Sequence, residues 1–238
     1  MKTRNLIALS IIAIATFYNA NAQEPAEHEY LIDLKTSKVT GFGNTHSDYS
    51  MINGKLVRTS GLAGAVMFNY QYYVGIYSLD LNTTLPWNDV YHISSETNTL
   101  EPLNLNNKLC FTHGGFMFGY VHNPLKLIHM NTNIKVGSGT IGLIDKDINI
   151  TNFDKHHRDR VTVITPEVGF EINLVRWCKF GMSAGYRMVL GVDETTYLNE
   201  QGSSQTLFKS SDFSSPLVSV MFHFGGFGPR AKKKDKLN

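Results

Sequence analysis

Between Trp177 and Leu190, hydrophobic residues alternate with small or polar ones, without a fault from Cys178 to Met188. Cys178, Phe180, Met182, Ala184, Tyr186, Met188 and Leu190 share one parity, and Lys179, Gly181, Ser183, Gly185 and Arg187 the other. Successive side chains of a strand point to opposite faces, so this segment is a strand with one bulky apolar face and one small polar face. The same period returns at Ile164, Val168, Phe170, Ile172 and Leu174 against Glu167, Gly169, Glu171 and Asn173. It returns again at Val218, Val220, Phe222 and Phe224 against Ser219, His223 and Gly225, while Ile128, Met130, Ile134 and Val136 oppose His129, Asn131, Asn133, Lys135, Gly137 and Gly139. Glycine weakens a water-facing strand and suits a crowded interior. The small polar parity therefore reads as the inside of a narrow barrel, and the bulky parity as an outside that lipid would welcome.

Turn chemistry between the alternating stretches predicts an all-β chain of eight strands: Lys38 to Ile52, Lys55 to Phe68, Tyr72 to Thr83, Lys108 to Val121, Leu125 to Ile144, Val161 to Leu174, Trp177 to Leu190 and Pro216 to Phe224. Asn53-Gly54 is a strong hairpin signal, and His122-Asn123-Pro124 ends a strand because proline has no amide hydrogen for a ladder. The first two strands alternate poorly. Connections after the second, fourth and sixth strands are short; those after the third, fifth and seventh (Leu85 to Asn107, Asp145 to Arg160, Val192 to Ser215) are long. Short turns at one end and long loops at the other are what a barrel facing two compartments needs. Fourteen residues, tilted by about 40°, rise about 35 Å along a barrel axis, enough to cross an apolar band of about 25 Å.

The N-terminus says where such a barrel belongs. Lys2 and Arg4 precede the apolar run Leu6 to Phe17, and Ala20-Asn21-Ala22 is a small-residue cleavage site, so residues 1–22 read as a secretory signal peptide. The predicted organisation is then a signal peptide (1–22), a periplasmic segment (23–37), an antiparallel transmembrane barrel (38–224) and a basic periplasmic tail (225–238). The formal net charge of +2 across 238 residues is too small to imply nucleic acid or an acidic substrate. Cys110 and Cys178 map near opposite ends of the barrel, so two free thiols are expected.

A signal peptide, eight alternating strands, connections alternately short and long, and a last strand ending in Phe222 and Phe224 resemble the small eight-stranded outer-membrane barrels of Gram-negative bacteria, the group that includes the OmpA transmembrane domain and OmpX. The resemblance covers most of the mature chain and is one of architecture. It implies the outer membrane as location, a scaffold in contact with outer-membrane lipids and lipopolysaccharide, and handling by the barrel-assembly machinery. It also implies variable outer loops as the route to any extracellular ligand. It does not imply one activity. Gly225 to Asn238 departs from barrels that end at their terminal aromatic.

The candidate chemistry lies on the polar parity. A three-residue turn after the sixth strand would set Glu171 opposite Lys179 and Glu167 opposite Ser183, with Lys135 and Arg187 on the same inner face. Charges inside a narrow barrel must be paired, because a lone buried ion costs several kcal/mol, so Lys135, Glu167, Glu171, Lys179 and Arg187 are expected to form a network that plugs the lumen. The expected role is accordingly structural or surface recognition rather than catalysis. One rival is a lipid-modifying barrel enzyme of the lipid A deacylase type, for which His129 to Asn133 and His46-Ser47-Asp48 supply residue types without the spacing. The other is a secreted lipocalin-like barrel with its apolar face inward around a hydrophobic ligand. His156 and His157 beside Asp154 and Asp159 are satisfied by solvation in a polar loop, and no metal or other cofactor is expected. Trp87 and Tyr91 mark the first long loop as the recognition surface. The run Arg230 to Lys236 reads as a solvated end with affinity for anionic phospholipid.

Overall fold

A computed structural model of the chain describes residues 37–85, 91–93, 99–102, 107–145, 158–193, 196–198, 203–206 and 208–227. The expected signal peptide, most of the segment 23–37, Trp87, the His156-His157 pair and the basic run near the C-terminus lie outside the described residues. Eight long strands close a barrel: β1 (Val39–Ile52), β2 (Lys55–Phe68), β3 (Tyr72–Leu81), β6 (Asn107–His122), β7 (Ile128–Asp145), β8 (Arg158–Val175), β9 (Cys178–Leu190) and β12 (Ser215–Gly225). Each is antiparallel to its sequence neighbour in the barrel, and β12 closes on β1. Four three-residue strands, β4 (Tyr91–Ile93), β5 (Leu100–Pro102), β10 (Thr196–Leu198) and β11 (Ser204–Thr206), form a separate small sheet in the order β11-β10-β4-β5. Its ladder joins the first and third long loops through Leu198 and Tyr91.

The register fixes the barrel's geometry. Stepping between paired residues from Val39 through Phe68, Tyr72, Tyr120, Thr132, Val168, Ala184 and Val218 returns to β1 at Tyr49, ten positions along the strand. An offset of about 33 Å over a circumference of about 38 Å tilts the strands by about 41°, within the usual range for barrels. At that tilt the interior of eight strands has room for side chains and little else.

The predicted strands match closely, and the departures have local causes. β7 starts at Ile128 rather than Leu125, because Pro124 and the following residues complete the turn that Asn123 opens at φ 51°. Asn53 (φ 47°) and Gly54 (φ 70°) form the expected two-residue hairpin, both in the left-handed region that such a turn requires. The turn after β8 is shorter than three residues: Arg176 and Trp177 connect Val175 to its partner Cys178, and a bulge between Asn173 and Val175 absorbs the difference. Glu171 therefore lies opposite Gly181 and Glu167 opposite Gly185, two positions from the expected register. The parity survives, because a shift of two preserves which face each side chain occupies.

Faces are assigned as the alternation predicts. Leu62, Ile76, Phe116, Ile134, Phe170, Met182 and Phe222 are exposed on the outer wall, whereas the opposite parity is buried. The weak alternation of the first two strands has a simple basis: β1 puts its polar residues Asn44, His46, Asp48 and Ser50 inward and leaves Gly41, Gly43, Thr45 and Ser47 outside. Within the lumen, an apolar layer at the long-loop end includes Ile52, Val57, Leu109, Phe111, Ile141 and Val163. A second apolar cluster, including Phe42, Met67, Tyr73, Tyr77 and Met117, lines one side of the lumen nearer the short turns. Both cysteines are free, as expected.

Candidate functional site

The buried polar residues of the lumen form two hydrogen-bonded centres. In the first, Lys135 from β7 reaches across the lumen to within 2.6 Å of Glu167 Oε1 on β8 and 3.7 Å of Asp48 Oδ2 on β1. His46 Nε2 lies 2.6 Å from Asp48 Oδ1 and 2.8 Å from Lys135 Nζ. Ser219 Oγ donates to Asp48 Oδ1 at 2.6 Å, while Ser183 Oγ and Asn133 Nδ2 donate to Glu167 Oε2 at 2.9 and 3.2 Å. In the second centre, Glu171 Oε2 is 3.1 Å from Lys179 Nζ and 3.0 Å from His129 Nε2, and its Oε1 accepts from Asn131 Nδ2 at 2.6 Å. Diagonal cross-strand neighbours are within reach of long side chains, so Lys179 meets Glu171 from opposite Asn173 without being directly opposite it.

Arg187 shares the lumen but makes other contacts. Its Nε donates to the carbonyl of Phe213 at 3.0 Å, its Nη2 to that of Met51 at 3.4 Å, and the guanidinium lies 5.1 Å from the centre of the Phe111 ring. Phe213 ends a four-residue helix, α1 (Ser210–Phe213), which the polar composition of Val192 to Ser215 gave no reason to expect. Phe208 and Phe213 from this loop are buried against the apolar layer, where Phe213 meets Phe111 at 5.6 Å. Phe208 and Phe213, large apolar side chains in a mostly polar loop, were the available signal. Phe227, beyond the last strand, is likewise buried, 5.8 Å from Phe42 and beneath Lys179 Nζ at 4.6 Å.

Sequence reasoning brought together Lys135, Glu167, Glu171 and Lys179 by parity, and it missed His46, Asp48, His129, Asn131, Asn133, Ser219 and His223, whose Nε2 lies 4.0 Å from Glu171 Oε1. Asp48 and His46 were hidden by the poor alternation of β1; the β7 and β12 residues stood on the correct parity but carry no formal charge that demands a partner. The space left among Asn44, His46, Tyr77, Asn133, Lys135 and His223 is only about 10 Å³, at most enough for one water.

The residues considered for lipid hydrolysis are divided by the barrel wall. His46 and Asp48 face the lumen, whereas Ser47 faces outward and accepts a hydrogen bond from Arg58 Nη2 at 3.3 Å. His129 is buried, its Nδ1 3.1 Å from the Lys126 carbonyl oxygen. Neither histidine reaches a hydroxyl on the outer wall.

The outer wall carries aromatics at the short-turn rim, where Tyr72 lies 5.1 Å from Tyr120 and Trp177 stacks on Phe224 at 6.2 Å. Amphipathic rings of this kind sit at the boundary between an apolar and an aqueous phase.

Among solved structures the chain is similar to Neisserial surface protein A, with a TM-score of 0.48 and 6% identity over 79% of this chain and 97% of that one. It is similar to Ail, the attachment invasion locus protein of Yersinia pestis, at a TM-score of 0.40 and 11% identity over 79% and 96%. A major outer membrane protein from Thermus thermophilus aligns at 0.42 and 7% over 78% and 98%. No protein-family model and no curated protein matches the sequence.

Proposed function

We propose that this chain is an outer-membrane barrel with a sealed lumen, which serves as a structural scaffold or a surface-recognition protein through its long loops. One observation carries the reading: large apolar side chains such as Leu62, Ile76, Phe116 and Phe170 are exposed around the wall, while Lys135, Glu167, Glu171 and Lys179 are buried inside it. Water would favour the reverse arrangement, and lipid favours this one. On this reading residues 1–22 direct export, the short turns face the periplasm, and outer-membrane lipids and lipopolysaccharide contact the wall. The barrel-assembly machinery inserts the chain, and residues beyond the last strand remain periplasmic.

Two features support recognition rather than transport. The apolar layer of Phe111, Phe208 and Phe213 closes the loop end, and an ion crossing it would have to leave water without replacement ligands. The first and third long loops share a β-ladder, so any ligand that reaches them meets a joint surface rather than two separate loops.

Fractionation followed by electrophoresis with and without boiling tests the assignment. The mature chain, starting at Gln23, is expected in the outer-membrane fraction and to migrate faster before boiling than after. Recovery as a soluble periplasmic protein with no boiling-dependent shift would overturn it.

A further inference from the structure

We propose that His46, Asp48 and Glu167 form a divalent-cation site whose resident cation is the Lys135 ammonium, and that a transition-metal ion takes that position when Lys135 is shortened. One ligand atom from each of the three buried residues can be chosen so that all lie within 4.8 Å of one another. Lys135 Nζ stands among them, 2.6 Å from Glu167 Oε1, 2.8 Å from His46 Nε2 and 3.7 Å from Asp48 Oδ2. A nitrogen and two carboxylates converging on one point are the donor set of a three-ligand zinc or cobalt site with a fourth position open, and they would close in from these distances to about 2.0–2.2 Å around a metal.

The surroundings are those of an oriented site. Ser219 Oγ holds Asp48 by its Oδ1, and Ser183 Oγ and Asn133 Nδ2 hold Glu167 by its Oε2, leaving Glu167 Oε1 directed at the cation. Hydrogen-bond donors that hold the ligands from behind fix their geometry and raise metal affinity. His46 Nε2 lies within hydrogen-bond distance of both Asp48 Oδ1 and Lys135 Nζ; without a proton on it, that nitrogen has a lone pair to offer a metal at the Nζ position. Without Lys135, two carboxylates would be left buried with too little positive charge. A divalent ion supplies it.

This test rests on the proposed sealed lumen, in which metal must enter during folding. Lys135→Ala and the native chain, each purified from inclusion bodies in urea, are refolded into detergent with and without cobalt(II) and then desalted. Lys135→Ala is expected to retain one cobalt per chain with visible d–d absorption, to unfold at higher urea with the metal than without it, and to lose both effects on adding His46→Ala. The native chain is expected to retain none at this site. Refolding of Lys135→Ala only when cobalt is present supports the proposal equally. It is overturned if folded Lys135→Ala retains no cobalt, if His46→Ala leaves retention unchanged, if the native chain retains as much, or if Lys135→Ala fails to refold both with and without the metal.

Discussion

Gly119 faces the lumen directly opposite Tyr73, whose ring covers the place a Cβ would occupy. Gly64, on the outer wall, would meet only the Phe42 carbonyl oxygen at 3.8 Å, an ordinary contact. Gly119→Val is therefore expected to lower stability by about 1–3 kcal/mol through overpacking, and Gly64→Ala to leave it nearly unchanged. Urea unfolding in detergent compares the two, and equal effects would contradict the assignment of faces. The Glu171–Lys179 contact gives a second test at this scale. Lys179→Met leaves a buried carboxylate short of its cation and is expected to cost about 3–5 kcal/mol, whereas replacing both residues by Met should cost less, since no orphan ion remains. Equal losses in the single and double variants would mean that the pair is not coupled. Alternation in the sequence was enough to place both residues on the inner face, because parity needs only period two. Their register was not legible, because the bulge near Asn173 leaves no mark in the pattern of hydrophobic and polar residues.

The strands were readable because each long one repeats its pattern over many residues, and the elements that were not readable are short. A four-residue helix has too few positions to show a helical period, and three-residue strands too few to show alternation. What fixes α1 is tertiary: Phe213 is fully buried, its carbonyl accepts from Arg187, and Asn53 donates its backbone N–H to the Asp212 carbonyl at 2.9 Å. Phe213→Ala is expected to cost about 3–5 kcal/mol and to release the loop end. On intact cells, trypsin should then cut after Lys209 faster than in the native protein. Unchanged cleavage would show that Phe213 does not anchor the loop. The apolar layer it joins was partly visible in the sequence: Val161, Val163 and Val189 lie on the inner parity, where polar residues give way to apolar ones near the strand ends.

At the scale of the molecule, closure and inversion act together. Closing the sheet pairs every long strand on both sides, which a hydrocarbon environment demands, and turning the bulky parity outward supplies the surface that environment favours. On the proposed orientation, with the short turns in the periplasm and the long loops outside, an epitope inserted among residues 192–207 should be reached by antibody on intact cells, and one at Asn123 only after the outer membrane is permeabilised. The most direct test of the membrane barrel is the labelling of single cysteines by a membrane-soluble maleimide in intact membranes, with Cys110 and Cys178 replaced by serine. Cysteines at Phe170 and Met182, which are exposed on the outer wall, should label strongly, and cysteines at Thr165 and Ser183, which are buried in the lumen, should not. Equal labelling of the two parities, or labelling of the lumen positions alone, would contradict the account.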